Sequence, residues 1–154
     1  MIIQYHRVRR DARRPTRGHP SDAGLDVCFC PADNATTSLR ITPGDSRLLQ
    51  TGLRFEVPHG YMLEVKNRSS VAANRSLIVG ACVIDSGYAG EVFINLHNIG
   101  TETQLVEPYT KIAQLVMVPV IPFRVLENTE GELYEYPVTI STRGAGALGS
   151  TDAT

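Results

Sequence analysis

Apolar residues in this chain come in short runs, and a turn cuts off nearly every run before a helix of useful length could form. The runs are Ile2–Val8, Leu25–Phe29, Arg47–Gln50, Leu53–Val57, Tyr61–Lys66, Leu77–Ile84, Glu91–Asn98, Ile112–Val120 and Phe123–Leu126. Many are β-branched or alternate with period two. Thr-Pro-Gly at 42–44, Pro-His-Gly at 58–60 and Ser-Gly at 86–87 stand between them. Short alternating strands with regular turns predict an all-β barrel or sandwich of jelly-roll type. The one helix candidate is the stretch Ser69–Asn74, where a serine could cap and Val-Ala-Ala could follow. No internal repeat or linker is visible.

A chain of 154 residues, 42% of them hydrophobic, suffices for one domain with a real core. Its formal charge of −1 gives no global argument for binding nucleic acid, and no such partner is expected. The charge is uneven, however. Six arginines (Arg7, Arg9, Arg10, Arg13, Arg14, Arg17) face Asp11 alone in the first twenty residues. No run reaches the ~18 apolar residues of a membrane span, and the polar start is unlike a secretory signal. Cys28, Cys30 and Cys82 read as thiols in a reducing compartment, since an odd set without nearby histidine makes a poor zinc site. A cytoplasmic protein without a membrane partner is the expectation.

Five segments carry polar side chains where packing alone does not ask for them. Ala-Gly-Leu-Asp-Val at 23–27 puts Asp26 inside an apolar strand, where a carboxylate needs a cation or a turn. Asn-Arg-Ser-Ser at 67–70 offers Arg68, Ser69 and Ser70 before the helix candidate, as an anion site or as a cap. Gly80 to Glu91 reads as a β-hairpin about Ser86-Gly87, with Asp85 at its end and Tyr88 just beyond the turn. Gln114 is the one polar residue of Ile-Ala-Gln-Leu-Val at 112–116 and needs a hydrogen-bond partner. From Ser141 the chain turns small and Gly-rich, which suits a flexible arm able to wrap phosphate around Arg143.

In order and spacing these segments resemble the five motifs of the trimeric dUTP pyrophosphatases, the dUTPases. The resemblance covers nearly the whole chain, including Pro-Thr-Arg at 15–17 and Thr-Gly-Leu-Arg-Phe-Glu-Val-Pro-His-Gly at 51–60. It implies a small jelly-roll-like β-barrel over residues 1–140 and a C-terminal arm over 141–154. It also implies a homotrimer whose sites are shared between subunits, hydrolysing dUTP to dUMP and pyrophosphate with Mg²⁺ on the triphosphate. Asp85 would activate the attacking water, with Gln114 beside it in the catalytic set and Asp26 holding waters of the metal. Arg68, Ser69, Ser70, Gln114, Arg143, Ser150 and Thr151 would bind phosphates. Cys82, Val83, Ile84, Tyr88, Phe93 and Leu148 would hold the nucleoside, with backbone groups near Cys82 and Ile84 on the uracil edge and Tyr88 under the sugar.

At three places the chain departs from the family pattern. Ala147 and Leu148 replace a glycine and the phenylalanine that normally covers the base, Cys82 stands for a glycine, and Asn67 stands where glycine or proline is common. The first two touch base recognition and leave open a pyrophosphatase acting on a modified deoxyuridine nucleotide. The dCTP deaminases share the fold but need a glutamate where this chain has Asn95. A non-catalytic regulatory module of the same fold is disfavoured by the presence of both Asp85 and Arg143.

Overall fold

A computed structural model describes residues 1–32, 36–131 and 133. The chain divides into two units, Met1–Pro122 and Phe123–Thr154. The arm expected from residue 141 lies outside the described residues.

The first unit is all-β with one short helix. Its strands are β1 (Tyr5–Arg7), β2 (Leu25–Cys28), β3 (Leu39–Ile41), β4 (Ser46–Gln50), β5 (Leu53–Phe55), β6 (Tyr61–Lys66), β7 (Leu77–Val79), β8 (Val83–Ile84), β9 (Phe93–Asn98), β10 (Gln104–Val106) and β11 (Lys111–Pro119), with α1 (Ser69–Arg75) between β6 and β7. All pairings are antiparallel. Four strands run in the order β2-β11-β6-β8 and three in the order β4-β9-β7, with the two-stranded ribbons β1-β5 and β10-β3 beside them.

Period-two alternation decides which residues face inward. On β6, Leu63 and Val65 are buried while Met62, Glu64 and Lys66 look outward. On β9, Ile94, Leu96 and Asn98 are buried and Phe93, Asn95 and His97 are not. The inward sets join one core with Val27, Ile41, Leu49, Leu53, Ile112 and Leu115. Buried Asn98 is satisfied on both ends. Its Nδ2 donates to the carbonyls of Ile41 and Glu102, and its Oδ1 accepts from Gly100 N–H.

The strand expectations need several corrections. Leu77–Ile84 is two strands, β7 and β8, which join different sheets. The Ser86-Gly87 turn is therefore no β-hairpin: β8 pairs with β6, and β9 pairs with β4 and β7. Phe123–Leu126 forms no strand, because it makes no ladder to satisfy its backbone. The helix candidate is real, but no serine caps it. Arg68 occupies the cap position without a side-chain capping bond, and Ser69 is already the first helical residue.

Candidate active site

Register brings the first group of predicted residues together. On β11, Gln114 stands opposite Asp26 of β2 on one side and Lys66 of β6 on the other. Directly paired residues share a face, so these three form one row across the sheet on its outward side. Arg68, two residues beyond Lys66, reaches the same row. Its Nε donates to Asp26 Oδ1 at 2.8 Å.

The other Asp26 oxygen is held by a residue that sequence reasoning did not select. Lys111 Nζ lies 2.8 Å from Asp26 Oδ2. Lys111 and Gln114 are three apart on β11, a spacing that should place them on opposite faces. A register shift between Lys111 and Ala113 absorbs one residue, leaves Ile112 and Ala113 both buried, and turns Lys111 onto the face of Asp26. The sequence signal was there, in the two adjacent core residues that interrupt the alternation.

Gln114 is fixed from two directions. Its Nε2 donates to the Asn67 carbonyl at 2.8 Å. A Cβ added at Gly24 would sit 1.8 Å from Gln114 Oε1, so only glycine leaves room for the amide. Asn67 in turn accepts from Val79 N–H through Oδ1 at 2.7 Å, which ties the β6–α1 corner to β7. That bond accounts for asparagine where the resemblance led us to expect glycine or proline. Ser69 and Ser70 are exposed at the start of α1, with no hydrogen-bond partner for either hydroxyl among the described residues. Nearby, Lys66 Nζ lies 2.7 Å from Glu64 Oε1, a bond that raises the lysine above its usual range. Burial first, and the Asp26 charge among lesser causes, push the Cys28 thiol up.

The second group is set on different ground. Tyr88 N–H closes the turn onto the Asp85 carbonyl at 3.2 Å, with Gly87 at φ +86°, where a side chain would be strained. Ser86 Oγ donates to the Val57 carbonyl at 3.1 Å and anchors the turn to the β5–β6 connection. The Asp85 side chain is exposed and makes no hydrogen bond or ion pair among the described residues. Tyr88 is half-exposed, its hydroxyl donating to the Glu91 carbonyl at 2.8 Å. Phe93 is partly exposed on the outward face of β9.

The uracil edge is expected against backbone groups near Cys82 and Ile84. The Cys82 carbonyl is already spent, accepting from Val65 N–H at 2.7 Å. Successive residues of a strand direct their backbone groups to opposite sides, so the groups of Val83 face away from β6. Ile84 is buried, and Val83 is exposed.

Asp85 and the Gln114 row do not meet within one chain. Ile84 pairs with Leu63 and Gln114 pairs with Lys66, which puts Asp85 level with Met62, four residues along β6 from the row. At ~3.3 Å per residue that is about 13 Å along the strand. Arg143, Leu148, Ser150 and Thr151 lie outside the described residues.

No group of three or more His, Cys, Asp or Glu side chains that could cage a metal occurs among the described residues. The donor set offers one carboxylate, Asp26, with a cation on each oxygen. Such a set fits a divalent ion carried in on a substrate and touched through water. It does not fit an ion held by the protein alone. No helix among the described residues is long and apolar enough to cross a membrane.

Residues 10–135 match the model of the family described as dUTPase. A deoxyuridine 5'-triphosphate nucleotidohydrolase of Solibacter usitatus is 34% identical over 155 residues, covering 98% of this chain and 96% of the relative. Among solved structures, the dUTPase of Staphylococcus bacteriophage 80alpha with dUpNHpp has a TM-score of 0.81 at 23% identity, covering 97% of each chain. A mutant dUTPase from phage phi11 of S. aureus, with a coordinated structural Mg(II) ion, has a TM-score of 0.74 at 23% identity, covering 86% of this chain and 100% of that one. These similarities at low identity show a shared fold.

Proposed function

The chain belongs to the dUTPase family, and from that premise we propose that it hydrolyses dUTP to dUMP and pyrophosphate at a site divided between copies of the chain. The row Asp26–Gln114–Lys66, with Arg68 and Lys111, forms the phosphate end. The β8 turn, with Asp85 and Tyr88, forms the nucleoside end and supplies the base. The observation that carries the division is the separation along β6. A general base must lie within hydrogen-bond reach of the water it deprotonates, and Asp85 of the same chain lies about 13 Å from the row that holds the phosphates. A second copy closes that gap, and a homotrimer supplies one such pairing at each interface.

In this reading Asp85 takes a proton from water as its oxygen bonds to the α-phosphorus. The bond from that phosphorus to the bridging oxygen breaks, and pyrophosphate leaves with the electron pair. Arg68 and the Gln114 amide hold phosphate oxygens, as the serine hydroxyls of α1 do, and Arg143, Ser150 and Thr151 add contacts from the arm. Mg²⁺ carried on the triphosphate would supply charge neutralisation there. Asp26 would hold that ion's waters, and Lys111 positions Asp26. The backbone groups of Val83, on the open edge of β8, read the uracil, with Cys82 and Ile84 shaping the slot. Tyr88 lies under the deoxyribose, while Phe93 and Leu148 add apolar surface around the nucleoside.

Mixing two inactive variants tests the division. Asp85→Asn and Arg68→Ala chains are each expected to be inactive alone. After co-refolding, hybrids join an intact Asp85 from one copy to an intact Arg68 from another and regain activity. Confirmed hybrids that stay inactive would show that each chain builds its own site.

A further inference from the structure

The Arg-rich N-terminus is the one sequence feature that dUTP hydrolysis leaves unused. Its arginines separate by side. Arg9 turns inward, with Nη1 donating to Gln50 Oε1 at 3.4 Å, Nη2 donating to the Cys30 carbonyl, and Glu91 Oε1 3.5 Å from Nη1. Val8 N–H donates to the Gly52 carbonyl, and Ala12 is buried against the core. Asp11 is also committed, accepting from the Tyr109 hydroxyl at 2.7 Å and the Cys30 thiol at 3.5 Å. That first bond is the main reason the Asp11 carboxyl lies below, and the Tyr109 hydroxyl above, its ordinary range. The segment is thus fastened to the barrel rather than trailing in solvent.

Arg7, Arg10, Arg13 and Arg14 are displayed outward from this fastened base. With Tyr5, Asp11, Ala12 and Tyr109 they line an open concavity of about 700 Å³. The Arg13 guanidinium stacks over the Tyr109 ring, 5.2 Å from its centroid. Tyr5 packs on Phe55 with 6.1 Å between ring centroids and still exposes part of its ring. Arg10 and Arg14 have no hydrogen bond or ion pair to another side chain among the described residues. Four guanidiniums therefore share this lining with one carboxylate that is already bonded elsewhere, and an external anion would offset their like charge.

We propose that this concavity binds single-stranded nucleic acid, with the guanidiniums on successive phosphates and a base against Tyr5. An open concavity does not enclose a mononucleotide, whereas a strand adds up several shallow phosphate contacts. A duplex keeps its bases stacked away from the ring, and an acidic peptide has no base to stack. The rest of the chain is net acidic, which favours this patch for a strand once the catalytic site is filled.

The test is fluorescence anisotropy of a labelled oligothymidylate on the full chain, with dUpNHpp present to fill the catalytic site. Saturable binding is expected, with log K falling against log salt at a slope of about −2 to −3, as three or four phosphate contacts on a single strand require. The double variant Arg10→Ala/Arg14→Ala should bind at least about tenfold more weakly and flatten the slope by roughly 1.4. Its dUTP hydrolysis and Tm should match wild type, which shows that it is folded. Tyr5→Leu should weaken binding about fivefold or more without changing the slope. Absence of binding at low salt would overturn the proposal. So would affinity and slope unchanged in the arginine variant, or competition by polyglutamate as strong as by unlabelled strand.

Discussion

The two ends of the proposed site are built in opposite ways. At the β2–β11–β6 end the polar side chains of the strand row have partners inside the chain. Asp26 bonds Arg68 and Lys111, Gln114 bonds the Asn67 carbonyl, and Gly24 clears the space that the amide occupies. At the β8 turn the backbone is anchored through Ser86 and Val57, but Asp85 bonds to nothing among the described residues. Ladder register fixes the first end before substrate arrives. The second end is a rigid mount carrying an uncommitted carboxylate, as expected of a group whose partners are a water, a sugar and another copy of the chain. Mutations at the two ends should therefore separate stability from chemistry.

Asp85→Asn should give the largest effect and the cleanest split. The amide keeps the shape and loses the proton acceptor, so kcat should fall by ~10²–10⁴-fold. Because Asp85 has no partner among the described residues, Tm should stay unchanged, and dUpNHpp should bind within a few-fold of wild type. Steady-state kinetics with a thermal melt checks both halves. A mutant retaining more than about a tenth of wild-type kcat would remove Asp85 from the role of base.

Gly24→Ala attacks the other end. The new methyl would lie 1.8 Å from Gln114 Oε1 and 2.6 Å from its Cδ, so the glutamine must leave its place. Losing one pre-organised phosphate donor lowers the rate by ~10²–10³-fold in comparable sites. Glutamine can swing partly back, so a loss nearer tenfold to a hundredfold is expected, together with weaker analogue binding. Binding of dUpNHpp, measured calorimetrically, distinguishes this variant from Asp85→Asn. If affinity is untouched, Gln114 does not hold phosphate.

The same contrast explains what could be read from the sequence. Asp26 and Gln114 stand out because polar side chains inside apolar strands need a reason, and Arg68 because it joins two serines before a helix candidate. Their meeting in one row follows from register, which the strand pattern only hints at. Lys111 was passed over because it lies at a strand end where lysine is ordinary, and only the bulge turns it toward Asp26. The turn about Gly87 was legible, but its partners were not. Alternation marks a strand without saying which sheet it joins, so a connection between two sheets looked like a hairpin. The strands β3 and β10 escaped notice because Leu-Arg-Ile and Gln-Leu-Val are too short to show a period.

Lys111→Met probes how firmly the pre-built end is held, and its effect should be the smallest. Lys111 is 40% exposed, and pairs of that kind contribute only ~0.2–1 kcal/mol. Removing it leaves Asp26 bonded to Arg68 through Oδ1 and frees Oδ2. In the proposed reading the lysine and a hydrated ion on the triphosphate would compete for that oxygen. The variant should therefore need less Mg²⁺, with the half-saturating concentration for dUpNHpp binding falling by up to about fivefold, the factor that ~1 kcal/mol allows. Affinity at saturating Mg²⁺ should change little. If Lys111 instead contacts phosphate directly, affinity drops at every Mg²⁺ concentration while the half-saturation point stays put. A Mg²⁺ titration of analogue binding in the two proteins tells these apart, and Lys111→Arg should restore the wild-type curve only if the ion pair with Asp26 is what matters.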